Sequence, residues 1–130
     1  MSRCSCHSPP RHACFDRDTA GRVLPELIQN NLRCMWHGCF TQEMADAFIH
    51  DHLLNLAEFW TPLPLPSIAV NEPLYRNASG NNCSGQPQGL TYQRAFAAVE
   101  NYGYHAKVTL LGGKAELARA VPFGSPYWPR

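Results

Sequence analysis

Two groups of soft metal ligands stand near the start of the chain. Cys4-x-Cys6-His7 and His12-x-Cys14 form the first, and Cys34-x-x-His37-x-Cys39 forms the second. Zinc takes thiolate and imidazole ligands four at a time in a tetrahedron, and two close groups joined by a longer loop are a usual way to supply them. Cys6, Cys14, Cys34 and Cys39 would make one such site, with His37 as a substitute ligand. Neither group carries the C-x2-C knuckle that marks zinc modules. Reduced thiols are therefore the expected state. No cofactor is expected, zinc being the one metal this set would hold.

Three further arrangements bear on catalysis. His50-Asp51-His52 has the composition of a metal-dependent hydrolase site. On a helix, however, residues two apart point about 200° apart, so both imidazoles cannot meet one ion. His52 is expected at the core boundary and His50 in solvent. A thiol nucleophile would come from Cys39 with His37 or His105, or from Cys83, but catalytic thiols need an orienting partner that the sequence does not supply. The stretch "SGNNCSG" lacks the Lys-Ser/Thr ending of a phosphate-cradling loop. No catalytic residue is assigned.

The elements that would carry these residues follow from composition and periodicity. The chain has 130 residues with 45% hydrophobic and 16% charged side chains, enough for one domain with its own core. Eleven prolines and nine glycines predict long loops. Residues 1–17 show no period and read as an irregular N-terminal segment, with a single globular domain over 18–130. Leu24, Leu27, Ile28 and Leu32 predict a helix over 24–34, with Pro25 in its first turn. Thr41 is an N-cap for a helix over about 42–60, whose stripe is Ala45, Ile49, Leu53, Leu56 and Trp60. Gly38 separates the two. Pro62, Pro64 and Pro66 impose an extended run, and 67–70 reads as a short edge strand. Residues 71–90 are a loop. A helix follows Thr91 and stops at Gly103, and alternation over 104–111 predicts a strand. The fold class expected is α+β: three to four helices, a small edge-type sheet and long Pro/Gly-rich loops.

Gly112-Gly113 and "KAELARAV" close the chain's regular part. The segment from Lys107 to Val121 resembles the opening of phage-repressor-type helix-turn-helix domains, through Gly112-Gly113 followed by Leu117-Ala118-Arg119-Ala120. The resemblance covers about fifteen residues and implies a DNA-reading role. Its turn position holds Pro122, which cannot take positive φ. Pro126 and Pro129 leave no room for the second helix that would enter the major groove.

The formal net charge of +1 gives no long-range pull on a phosphate backbone. The N-terminal residues hold no apolar stretch of signal-peptide length, and no 18-residue apolar run occurs. A cytoplasmic protein without membrane contact is expected. The function expected is non-catalytic: regulatory docking on a larger protein through Leu63 and Leu65 in the proline run, Tyr75 and Arg76 in the loop, and Phe123, Tyr127 and Trp128 in the tail. Stiff, apolar, loop-borne segments suit recognition. The alternative is a nucleic-acid-linked regulator with structural zinc, and the second alternative a small Cys/His hydrolase.

Overall fold

Thr41 opens a helix as its sequence predicts. In a computed structural model of the chain, which describes residues 7–8, 11–62, 65–75, 89–107 and 109–112, the Thr41 hydroxyl accepts the Met44 N–H at 3.1 Å. Helix α2, Gln42–Phe48, follows, with Glu43 in its first turn where the macrodipole favours a carboxylate. Thr41→Ala is expected to cost about 1 kcal/mol in a denaturant titration, because a cap is lost and nothing else changes.

The expected helix to residue 60 stops short. After α2 one π-helical turn, Ile49–Leu53, carries the chain on, with Leu54 N bonded to Ile49 O at 3.0 Å. Asn55 then diverts the backbone. Its side chain accepts from Ala57 N and donates to Asp51 O, while its carbonyl accepts from Glu58 N and Trp60 N. Asparagine side chains compete with the helical ladder in this way. The stripe therefore holds for Ala45, Ile49 and Leu53, which are buried, and fails at Leu56, which is 75% exposed.

The first helix also shifts. Helix α1 spans Asn30–Trp36 rather than 24–34. Residues 24–28 are kept out of the helix by non-local bonds, Ala69 N to Leu27 O and Leu27 N to the Glu72 carboxylate, and Gln29, whose N–H bonds Ser67 O, is the N-cap. Ile28 and Ile68 pair as a single bridge where a short strand was expected. Pro25 thus lies outside the helix and not in its first turn.

Helix α3 spans Gly89–Asn101, so Thr91 lies inside it rather than at its cap. Gly103, at φ +86°, ends it as expected, with Tyr104 N bonded to Val99 O. Beyond it the predicted strand is absent: residues 105–107 and 109–112 are helical. Leu110, read as inward-facing, is about half exposed, and the fully buried side chain is its neighbour Leu111. The turn at Gly103 restarts a helix, so the alternation of Ala106, Val108 and Leu110 was a coincidence of spacing.

The described residues are mostly helical. Strands β1, His7–Ser8, and β2, Ala13–Cys14, pair antiparallel as one two-residue ladder. Small residues on α3 (Ala95, Ala98, Val99) let α1 approach closely, and Phe15, Phe48 and Phe59 fill the centre. Ala13, Cys14 and Phe15 lie in the same cluster, so the core begins ahead of residue 18. Asn31, fully buried on α1, accepts from Cys14 N at 2.7 Å and donates to Cys14 O at 3.0 Å, fastening β2 to the helices. No helix among the described residues is long and apolar enough to cross a membrane.

Candidate functional site

The polar groups concentrate where the β1–β2 hairpin meets the π-helical turn. A π-turn adds one residue to a helical turn and re-aims the side chains it carries, and such turns often lie at functional sites. Here it carries His50, Asp51 and His52. The Asp51 carboxylate bonds His12 Nδ1 across the hairpin. His12 itself sits at φ +53°, a left-handed conformation that few non-glycine residues adopt. The pair is about half exposed.

His52 is more deeply set. Its Nδ1 is 2.6 Å from a Glu58 carboxylate oxygen, and its Nε2 is 2.6 Å from the Arg11 carbonyl. Both ring nitrogens thus face acceptors. The ring is tilted against Phe48, centroids 5.5 Å apart. As expected, His52 is a boundary residue and His50 is exposed. Arg11 completes the junction: its guanidinium lies 4.0 Å over the Phe15 ring and donates to Pro25 O, with Glu72 3.9 Å away.

These contacts join the hairpin to the helical body. A carboxylate-oriented imidazole such as His12 has the geometry of the base half of a catalytic pair. The partners that hold the two rings are the Asp51 and Glu58 carboxylates and the Arg11 carbonyl. His52→Ala is expected to lower stability by about 2–3 kcal/mol, since it strands the Glu58 carboxylate, whose side chain is only 14% exposed. His12→Ala, at an exposed pair, is expected to cost less than about 1 kcal/mol. Paired denaturation curves check both.

A second polar chain runs from α2 to the segment after α3. Tyr104 donates to Asp46 at 2.7 Å, Gln42 donates to the same oxygen and to Tyr102 O, and His50 Nε2 is 3.2 Å from the Tyr104 hydroxyl. Burial, then the bond to Asp46 and its charge, push Tyr104 up to about 12. The bond from Tyr104, then that from Gln42, hold Asp46 below the usual carboxylate range. The phenol therefore adds stability that is complete below about pH 10 and is lost as pH rises toward 12. The carboxylate adds stability that is lost as pH falls through its lowered value. Tyr104→Phe is expected to flatten the alkaline fall in denaturation midpoint over that window.

The sequence-predicted sites are placed as follows. Leu65 is fully buried in the core cluster and offers no docking surface, a correction to its reading as a binding residue; Pro66 beside it is also buried, while Pro62 is exposed. Tyr75 is partly buried. Leu63, Arg76, Phe123, Tyr127 and Trp128 lie outside the described residues, as do Cys6 and the "KAELARAV" segment. Of the metal set, Cys14 is buried, Cys34 and Cys39 are partly buried, and all three are thiols. His37 is exposed and stacks on Trp36, centroids 5.2 Å apart. Among the described residues, no three His, Cys, Asp or Glu side chains are grouped to hold a metal ion.

Sequence reasoning missed the junction at Arg11, His12, Asp51, Glu58 and Glu72. Its partners are drawn from four separate segments, and their spacing repeats no known pattern. Compared with known proteins, the chain matches no family model, and no curated protein resembles it in sequence.

Proposed function

We propose that this chain is a small binding protein that works by docking on a larger protein, without chemistry of its own. The observation that carries the reading is the set of large apolar side chains left in solvent beside the junction: Val23, Leu24 and Leu74 are 50%, 40% and 55% exposed. They share one brace. Glu72 accepts the Leu27 N–H at 2.9 Å and Tyr75 N bonds Glu72 O, tethering the turn that carries Leu74 to the segment that carries Val23 and Leu24. On the other side, Asp18 accepts the backbone N–H groups of Arg22 and Ala20, and Arg17 bridges Val23, fixing the turn that presents them. Those bonds, Arg22's first, hold Asp18 below the usual carboxylate range.

Rigidly presented apolar side chains give contact area with little entropy lost on binding. Burying the half of each that is still exposed is worth roughly 1 kcal/mol per side chain. The same reading makes the protein a cytoplasmic regulator of α+β class with an edge-type sheet. Its partner is another protein and neither nucleic acid nor membrane, and the loop 71–90 and the aromatic tail extend the contact.

The test is capture of partners from source cells by the full-length protein and by a Val23→Asp, Leu74→Asp variant. The double variant is expected to lose a discrete partner by about tenfold or more while keeping its denaturation midpoint. Equal recovery by both proteins would remove the reading.

A further inference from the structure

The end of α1 brings two thiols together. Gly38, at φ +71°, follows the helix, and the chain then doubles back: Gly38 N bonds Met35 O at 3.0 Å and Cys39 N bonds Cys34 O at 2.9 Å. This nested pair of bonds is a Schellman cap, which brings the third residue from the helix end next to the second residue beyond the cap, positions whose side chains frequently touch. In most proteins that contact is apolar. Here both positions are cysteine.

Tyr102, whose hydroxyl donates to Phe40 O at 2.9 Å, stands on the same side of the cap. Its phenol is raised first by burial, against the Phe40 bond, and then by the charge that Cys39 and Cys34 would carry. Both residues are partly exposed, within reach of a small solute.

We propose that Cys34 and Cys39 form a reversible dithiol–disulfide site that exchanges with low-molecular-weight disulfides. The cap doubles the backbone of Cys39 back onto that of Cys34 through the Cys39 N–Cys34 O bond, the close approach that a disulfide requires. The step balances. One cysteine thiolate attacks the small disulfide RSSR, forming a protein–SR mixed disulfide and releasing RS⁻. The second thiolate attacks the protein sulfur of that bond, closing the Cys34–Cys39 disulfide and releasing a second RS⁻. Two protein thiols are oxidised, one RSSR is reduced to two RSH, and the two protons pass to the released thiolates. A thiol-rich medium reverses both steps. The closed ring encloses Trp36 and His37, so its redox state sets the stiffness of the surface those side chains form.

The test uses the full chain, reduced and then equilibrated with glutathione disulfide, quenched with acid and digested with trypsin. No lysine or arginine lies between Cys34 and Arg76, so both cysteines fall in one peptide. In the wild type that peptide is expected to lose two hydrogens and carry no glutathione, the internal bond exceeding the mixed disulfide by more than about tenfold, because the second thiol is present at high effective concentration. Cys39→Ser and Cys34→Ser should each leave one stable glutathione on the same peptide. A wild-type peptide that retains glutathione, links to a different cysteine, or stays reduced while the single variants react would overturn the proposal.

Discussion

Replacing Phe48 by alanine is expected to lower the unfolding free energy by about 3–5 kcal/mol, the range for emptying a buried aromatic site. Phe48 is 1% exposed and sits at the crossing of three contacts. Its ring meets Phe40 edge-on at 6.4 Å, and tilts against Phe59 at 6.3 Å and His52 at 5.5 Å. Those neighbours are held by their own backbones, so the site cannot collapse onto the space left. Because His52 rests on the same ring, the loss should spread to the hairpin junction. Hydrogen exchange at residues 11–15 should quicken together with exchange in α2. A conservative Phe48→Leu change should recover about half of the loss, and equilibrium denaturation measures both.

Asn31→Ala is the second large effect, about 3–5 kcal/mol for a side chain that leaves little cavity. Asn31 is fully buried, and its amide stands in for a strand partner of Cys14, accepting from its N–H and donating to its carbonyl, with Ile28 O 3.2 Å away. Removing it leaves a buried N–H and buried carbonyls without that bond. Each stranded group costs roughly 1–3 kcal/mol. A protonated Asn31→Asp side chain keeps an acceptor for Cys14 N and one O–H donor in place of the amide's two N–H donors, so at pH values where the carboxyl is protonated it should fall between wild type and alanine. An Asn31→Ala protein as stable as wild type would show that β2 is not fastened through this residue.

What could be read from the sequence was mostly local. Thr41, Gly38 and Gly103 act over one turn, and each does what its chemistry dictates. The apolar stripe of α2 holds for as long as the helix does. What could not be read was non-local. Residues 24–28 have helical spacing, yet Glu72 and Ala69 tie them into a non-helical path from more than thirty residues away. Asn55 ends the long helix through a side chain that bonds Asp51 O and Ala57 N. Leu65 looked like an exposed residue of a proline run and is core. The thiol pair was half legible: Cys34 and Cys39 stood out as ligands by type, but the backbone bond between them comes from the cap that Gly38 closes. At the junction His12, Asp51 and His52 stood out by type, but their pairing did not, because the partners are scattered and the hairpin turns through a left-handed histidine.

The apolar face and the histidine junction are neighbours, and they imply different functions. One measurement separates them: partner capture by full-length protein carrying either Leu24→Asp or His12→Asn, run beside the wild type at matched stability. Docking through the apolar face predicts that Leu24→Asp loses the partner about tenfold or more and that His12→Asn retains it. Retention by Leu24→Asp with loss in His12→Asn would contradict the account and move the function to the histidine.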